Sequence, residues 1–159
     1  MDYSRNRREF ILGISLYLME KLIQEAMLAE HKKMESMLKK FENHIGEGGS
    51  SIKEKLNEIK WNIQKHFFIE ENAVFSLYVP ASSWEVSSVD RILREHEEIM
   101  KLVEKAEKNL RRENVDKVIS MLRSHAKFED ENFYPSLDEQ LNSEQKEKIL
   151  GRVGEIIKG

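Results

Sequence analysis

The sequence predicts an all-α protein, an antiparallel up-down four-helix bundle with a short additional helix at its C-terminus. Only 7 glycines and 2 prolines occur in 159 residues, too few turn-forming residues for a β-sandwich or β-barrel of this length. Apolar residues recur at alternating steps of three and four in four long segments, the spacing that places them on one buried helix face. Short breaks separate these segments, as expected for antiparallel neighbours in a bundle.

The first two segments are separated by a glycine-rich break at residues 46 to 51. In the first segment, the predicted inward face runs through Met27, position 31, Met34, Leu38, Phe41 and Ile45. In the second, it runs through Ile52, Leu56, Ile59, Ile63 and then positions 66, 70, 74 and 77. A second break, PASSWEVSS, follows at residues 80 to 88 and has the proline and serines typical of loops.

The third and fourth segments carry helix-start signals. Ser87 with Asp90 three residues later resembles a capping box, and Asn114 is the predicted N-cap of the fourth helix, which Pro135 is expected to close. The inward face of the third helix is predicted to be Val89, Ile92, position 96, Ile99, Val103, Ala106 and Leu110. That of the fourth is predicted to be Val115, Val118, Leu122, positions 125 and 129, and Phe133. From Ser143, a short amphipathic helix presents Ile149, Leu150, Val153, Ile156 and Ile157 on one side.

The chain has the size of a single domain, which we assign to residues 1–159. Within it, residues 1–24 form an N-terminal helical extension, residues 25–137 the bundle, and residues 138–159 the C-terminal helix. The N-terminal apolar stretch at residues 10 to 19 is much shorter than the roughly 20 residues that cross a bilayer, and no cleavage site follows it. We therefore expect a cytoplasmic protein that has no membrane partner.

Composition narrows the function classes. The chain is 40% hydrophobic and 35% charged, as in a soluble globular protein. It contains no cysteine, which excludes disulfides, thiolate-held iron–sulfur clusters and a thiol nucleophile. The net charge of −3 comes from interspersed acids and bases, so no basic patch points to a nucleic-acid partner.

Six ionisable residues interrupt the apolar faces at positions where leucine or isoleucine is expected. Each long helix contributes one histidine, and the second and fourth helices each add a glutamate four residues later, on the same helix face. The six are His31, His66, Glu70, His96, His125 and Glu129. Unpaired buried polar groups cost a few kcal/mol and unpaired carboxylates far more, so the cluster requires a compensating cation.

A metal centre is the compensation that this donor set indicates. Six donors exceed the demand of one ordinary site, and carboxylates bridge two ions, so two metals fit better than one. Mixed imidazole and carboxylate donors favour iron or manganese over magnesium or calcium, and zinc is also compatible. Helical bundle cores are an established place for such carboxylate-bridged sites.

A weak internal repeat supports a dinuclear arrangement. Glu30-His31 followed by Met34 parallels Glu95-His96 followed by Ile99, and His66-x-x-x-Glu70-Glu71 parallels His125-x-x-x-Glu129-Asp130. Two related helical hairpins would place three ligands on each side of one centre.

These motifs resemble the hemerythrin family, and more closely its bacterial and archaeal hemerythrin-like HHE cation-binding domains. The matching segments, over roughly residues 25 to 137, are AEHKKM, HFFIEENAVF, REHEEI and HAKFEDENFYP. The resemblance implies an antiparallel four-helix bundle that holds two iron ions. It also implies that His31, His66, His96 and His125 are terminal iron ligands and that Glu70 and Glu129 bridge the irons.

The sequence departs from hemerythrins proper at one position. They carry a fifth histidine one turn before the residue that matches His96, and here that position is Ile92. Glu35, one turn after His31, is the one polar alternative at a neighbouring inward-leaning position, although a solvated acid fits it better. His44 points to a different face and is assigned to the surface. The missing histidine makes reversible dioxygen carriage doubtful and leaves an open site for oxygen, peroxide or nitric oxide.

Several other residues near the motifs are given ordinary roles. Surface positions are favoured over hydrogen bonding to the ligands for Glu30, Glu71, Glu95, Asp130 and Glu131. Three aromatic residues near the ligand helices are expected to be core or rim residues, with shaping of ligand access as the alternative role: Trp61, Tyr78 and Tyr134.

Three functions follow as hypotheses. The first is a non-haem di-iron protein that binds a small diatomic ligand for sensing, binding or stress response, with its output through a protein partner or a homodimer. The second is an enzyme for peroxide or nitric oxide turnover, iron handling or iron–sulfur cluster repair. The third is a structural metal clamp in an interaction protein. We lean away from an enzyme.

Overall fold

The described chain is helical from end to end, apart from short connections. The computed structural model describes residues 22–45 and 50–158, and no strand occurs in these two ranges. Most of the predicted N-terminal extension, residues 1–21, lies outside them, as do the glycines of the first predicted loop, Gly46, Gly48 and Gly49. None of the helices in the described ranges combines the length and the apolar character needed to cross a bilayer.

Within residues 22–45 and 50–158, four long helices, two π-helical segments and two shorter helices follow one another. They are α1 (Leu22–His44), α2 (Ser50–Ile69), π1 (Glu70–Phe75), α3 (Ser83–Lys108), α4 (Arg112–Phe128), π2 (Glu129–Phe133), α5 (Tyr134–Gln140) and α6 (Ser143–Lys158). The most extensive packing joins α1 to α2 and α3 to α4, and α2 also contacts α3 while α1 contacts α4. The result is a helical bundle, with α6 lying against α1, α2 and π1.

Helix α3 begins earlier than predicted. Ser82 is its N-cap, and the Ser82 hydroxyl accepts a hydrogen bond from the backbone N–H of Glu85 at 3.2 Å. The Glu85 carboxylate in turn accepts from the Ser82 hydroxyl, the Ala81 backbone N–H and the Tyr78 hydroxyl. The predicted capping box of Ser87 and Asp90 is therefore wrong, because the reciprocal bonds of a capping box form one turn and a half earlier.

Two other boundary predictions are also wrong. Helix α4 begins at Arg112 after the N-cap Arg111, and the side chain of Asn114 instead donates to the Asn109 carbonyl at 2.8 Å. Pro135 opens α5 rather than closing the fourth segment, since a first-turn residue needs no N–H for the helix.

The apolar core consists of two clusters on either side of the ionisable residues. Along the inward face of each long helix, the histidine lies between two apolar stretches. The stretch on one side of it belongs to the first cluster, and the stretch on the other side belongs to the second. The first cluster includes Met34, Ile63, Ile99 and Leu122, and the second includes Met27, Ile69, Ile92 and Phe133. The predicted inward faces are thus confirmed over most of their length, with a polar layer between two apolar ones.

The predicted inward faces are wrong at the end of the second segment and at the end of the C-terminal helix. Leu77 is 44% exposed, because the helical run ends at π1 and Leu77 lies in the turn after it. On α6, Ile149 and Val153 are buried and Leu150 and Ile156 are partly buried, whereas Ile157 at the helix end is 39% exposed.

The π-helical segments occur at equivalent places in the two halves of the chain. Glu70 is the first residue of π1 and Glu129 is the first residue of π2. A π turn holds an extra residue compared with an α turn, and such turns occur frequently at functional sites. Both are followed by residues that close the second apolar cluster, including Tyr134.

Candidate metal centre

The six predicted ligands converge in the polar layer. His31 is the most exposed at 6%, and the other five are between 0 and 3% exposed. They form two groups of four donors, and within each group one donor atom from every residue lies within 4.8 Å of the others. His31 and His66 belong to one group, His96 and His125 to the other, and both groups share Glu70 and Glu129.

Each glutamate reaches both histidine pairs. Glu70 places Oε1 3.5 Å from His66 Nε2 and Oε2 3.1 Å from His96 Nε2. Glu129 places Oε2 3.2 Å from His31 Nε2 and Oε1 3.3 Å from His125 Nε2. One oxygen of each carboxylate therefore faces each histidine pair, which is the geometry needed to bridge two ions.

Several of these inward-facing atoms lack hydrogen bonds. Among the described residues, His96 Nε2, His125 Nε2, Glu70 Oε2 and both oxygens of Glu129 are buried and have no hydrogen-bond partner. Their short contacts do not have hydrogen-bond angles, because the atoms point toward shared space between them. Buried polar atoms are normally satisfied, and leaving a carboxylate unsatisfied is very costly. This donor set fits a pair of cations.

Three of the four histidines contact a carboxylate through their second ring nitrogen, Nδ1, and we call such histidines supported. His31 Nδ1 lies 2.8 Å from Asp130 Oδ1, and His96 Nδ1 lies 2.8 Å from Glu71 Oε1. His125 Nδ1 lies 2.8 Å from Glu95 Oε2. Metal-binding histidines commonly donate their second ring N–H to such a group, which fixes the ring and raises its basicity.

These contacts show that Glu71, Glu95 and Asp130 bind predicted ligands and are not merely solvated charges, although the Glu71 side chain is still 44% exposed. All three lie next to a predicted ligand in the sequence, at the edge of the inward face, and each reaches a histidine on a neighbouring helix. Glu131 does lie at the surface, with its side chain 61% exposed near Lys127. Glu30 is half-buried.

The buried charges shift the ionisation of the cluster. Burial opposes protonation of His31, but the hydrogen bond with Asp130 and the nearby Glu129 carboxylate outweigh it and raise its pKa to about 10. Burial lowers the pKa of His66 to about 3. Burial and the neighbouring charge of Glu70 raise the pKa of Glu129 to about 7. Without a cation, the layer thus holds protons at positions that a metal would take.

Tyr134 is a site residue that the sequence analysis assigned only to the core or rim. It is fully buried, and its hydroxyl donates a hydrogen bond of 2.5 Å to Glu70 Oε1. Burial and the Glu70 charge raise its pKa well above the ordinary value, so the phenol keeps its proton. The internal repeat gives no signal for this role, since the residue equivalent to Tyr134 is Phe75, which has no hydroxyl.

The other two aromatic residues lie outside the cluster. The Tyr78 hydroxyl binds Glu85 and Gln140, and Trp61 is a rim residue that is 66% exposed.

The remaining candidate ligands lie elsewhere. Glu35 makes a two-point ion pair with Arg123, at 2.9 and 3.0 Å, and belongs to neither donor group. His44 Nδ1 donates to the Lys40 carbonyl at the end of α1. Ile92, at the position of the missing fifth histidine, is completely buried in the second apolar cluster.

Comparison with known families agrees with this arrangement. The family model described as the hemerythrin HHE cation-binding domain matches residues 22–137, a range that includes all six residues. No curated protein and no solved structure matches the chain.

Proposed function

This chain belongs to the hemerythrin HHE cation-binding domain family, and from that premise we propose that it is a non-haem di-iron protein that binds a small ligand in the bundle core. The ligand classes are dioxygen, nitric oxide and peroxide, and the role is sensing, binding or stress response. The proposal includes an antiparallel up-down order for the four long helices and a cytoplasmic location. It also includes an output through a partner protein or a second copy of the chain.

The residue assignment follows the two donor groups. His31 and His66 would hold one iron and His96 and His125 the other, while Glu70 and Glu129 would each offer a different oxygen to each iron. The observation that carries the proposal is the set of buried nitrogen and carboxylate oxygen atoms that face shared space without hydrogen bonds. A pair of cations satisfies all of them at once.

The protein supplies few enough donors to leave room for a ligand. Each position receives two imidazole nitrogens and two carboxylate oxygens, and non-haem iron sites keep open positions when the protein supplies only part of their coordination. When bound, the iron pair supplies the redox and ligand-binding chemistry. The side chains orient the donors, exclude water and hold protons at Tyr134 and at the supported histidine nitrogens.

A surface cleft gives a small ligand an approach. It has a volume of about 320 Å³, lies between α1 and α4, and has His31 and Asp130 in its lining together with Leu28, Met34 and Ala126. His31 is the one predicted ligand in its lining, so the cleft reaches the proposed centre beside His31.

Iron reconstitution tests the proposal. The metal-free protein is loaded anaerobically, and its iron content and visible spectrum are measured under argon, air and nitric oxide. We expect about two irons per chain and a spectrum that changes with the gas. Fewer than about one iron per chain rules out the dinuclear centre.

Two variants sharpen the test. Glu70→Ala should lose at least one of the two metals, whereas Glu131→Ala, at an exposed position of π2, should keep both. Full occupancy in Glu70→Ala contradicts the bridging assignment. Rapid turnover of peroxide or nitric oxide would instead identify an enzyme, and a zinc-filled protein indifferent to both gases would identify a structural clamp.

A further inference from the structure

The proposed centre has near-twofold symmetry, which allows its two cation positions to be compared residue by residue. Positions 65 apart correspond between α1 and α3, so that His31 matches His96, and positions 59 apart correspond between α2 and α4, so that His66 matches His125. In one histidine pair, the contact between Nδ1 and a carboxylate follows this symmetry. His31 binds Asp130, and its counterpart His96 binds Glu71, which is the residue that matches Asp130.

The second pair breaks the symmetry. His125 Nδ1 binds Glu95 at 2.8 Å, but the Nδ1 of its counterpart His66 is buried and has no hydrogen-bond partner within residues 22–45 and 50–158. The residue that matches Glu95 is Glu30, so the sequence carries a carboxylate at the equivalent place without the equivalent contact.

One substitution between the halves explains the missing contact. Arg91 donates to Glu95 Oε1 at 2.7 Å while Glu95 Oε2 faces His125, so the arginine holds the carboxylate in place. The Arg91 guanidinium is itself seated 3.8 Å above the Phe128 ring. The residue that matches Arg91 is Ala26, which has no charge to fix Glu30 beside His66.

Ring packing at the two positions differs in the same direction. Ala126 lines the cleft beside His31. Phe67 stands at the matching place in the cleft beside His96, and its ring stacks on the His96 ring with centroids 3.7 Å apart and planes 10° from parallel. Phe67 therefore packs on one face of its histidine ring, a contact that the smaller Ala126 cannot make with His31.

We propose that the two cation positions have different affinities, and that the position between His31 and His66 loads last and is lost first. This inference rests on the proposed metal centre. An imidazole backed by a carboxylate is a more basic and better oriented ligand, and removing such a partner typically lowers metal affinity 10- to 100-fold. The His96–His125 position has two supported histidines, one of them stacked on Phe67, whereas the His31–His66 position has one supported histidine.

Substoichiometric loading tests the difference. The metal-free full chain receives one equivalent of Mn²⁺, and crystals are used to compare the anomalous scattering at the two positions. We expect the His96–His125 position to hold about tenfold more manganese or higher. Glu95→Gln should bring the ratio close to one, while the matched variant Glu30→Gln should leave it as in the original protein.

Chelator extraction provides a solution measurement that does not depend on crystals. Protein loaded with two equivalents of Mn²⁺ should lose one ion faster than the other. Arg91→Gln keeps the Glu95 carboxylate but removes the arginine that holds it beside His125, so this variant should reduce the difference between the two rates of loss. Equal occupancy in the original protein, a fuller His31–His66 position, or an unchanged ratio in Glu95→Gln would each overturn the inference. Absence of manganese from both positions at excess metal would instead overturn the metal centre itself.

Discussion

The hydroxyl of Tyr134 donates a 2.5 Å hydrogen bond to Oε1 of Glu70, which joins the start of α5 to the start of π1. The same oxygen lies 3.5 Å from His66 Nε2. Tyr134 thus fixes the orientation of a carboxylate that the proposed centre uses as a bridge, although it comes 64 residues later in the chain.

Replacing Tyr134 by Phe should weaken metal binding about 10- to 100-fold, because the ligand carboxylate loses an orienting hydrogen bond. The metal-free protein should lose about 1–3 kcal/mol of stability, since a buried acceptor is left without a partner. Competitive Mn²⁺ titration and urea unfolding measure the two effects. Tyr78→Phe is the control: it removes another buried phenol hydroxyl, bound to Glu85 and Gln140, and should change stability only. Equal metal affinities in both variants would contradict the role of Tyr134.

Replacing Glu35 by Gln should leave the metal content at that of the original protein, because the Glu35 carboxylate binds Arg123 rather than the centre. The cost in stability should be below about 1 kcal/mol, as for other exposed ion pairs. Metal analysis after reconstitution checks the first expectation, with Glu129→Gln as the variant that should lose metal. Loss of metal from Glu35→Gln would restore Glu35 as a ligand.

The N-cap of α3 should contribute to stability although it is remote from the centre. Ser82→Ala should lower the free energy of unfolding by about 1 kcal/mol, because the Glu85 N–H loses its acceptor. Urea denaturation measures the change, and Ser87→Ala, inside the same helix, should have a much smaller effect. If the two variants were equally destabilised, the cap assignment would be incorrect.

Acid should destabilise the protein partly through Glu85. Hydrogen bonds from the Ala81 backbone N–H, the Tyr78 hydroxyl and the Ser82 hydroxyl lower its pKa from 4.5 to about 2. Since the folded-state pKa lies below the unfolded one, the stabilisation is complete above about pH 4.5 and disappears as the pH falls toward 2. Thermal unfolding between pH 5 and 2 should therefore be less pH-dependent in Glu85→Gln. Glu97→Gln, at an exposed position of α3, should keep the original dependence.

Metal binding should release protons and strengthen with rising pH. The pKa of His31 is raised to about 10 in the metal-free protein, so at pH 8 its proton must leave before Nε2 can bind a cation. Affinity should rise by up to about tenfold per pH unit for this one proton between pH 7 and 10. The metal-free protein should also lose stability over this range, because the raised pKa stabilises below about 6.5 and ceases to do so toward 10.

Calorimetric titrations with Mn²⁺ at pH 8, in buffers of different ionisation enthalpy, count the released protons. A binding enthalpy that does not vary with the buffer would show that His31 is already deprotonated. The metal-loaded protein serves as the comparison for the thermal measurements, since bound metal removes the titration.

The sequence was sufficient to find the ligand candidates because burial has a regular period along a helix. His31, His66, His96 and His125 each replace an expected apolar residue, and the same register brings their side chains into one layer. The six positions could therefore be selected from spacing alone. Their proximity across helices followed from the bundle, without knowledge of any distance.

Residues at the edge of the inward face could not be assigned in this way. The i,i+4 pairing of Arg91 with Glu95 is contained in the pattern of α3, but whether Glu95 reaches His125 or solvent depends on the separation of α3 and α4, which the pattern of a single helix does not contain. Glu30 has the same place in its motif as Glu95 but does not make the same contact. The start of α3 was wrong for a different reason. Ser82 and Ser87 both offer a capping hydroxyl, and the local hydrogen bonds from Ala81 and Tyr78 to Glu85, which favour Ser82, depend on the conformation of the loop before the helix.

The π turns determine how the residues before and after them are oriented around the helix axis. Each holds one residue more than a regular helix would, and each α-helical residue advances the chain by about 100° around the axis. If the residues of π2 formed a regular α-helix, Tyr134, five residues after Glu129, would lie about 140° around the axis from it, away from Glu70. The wide turn is therefore what places Tyr134 on the inward face. A change that converted π2 to α-helix at unchanged chain length would break the contact with Glu70, whereas loss of the one extra residue would leave the direction of α5 nearly the same.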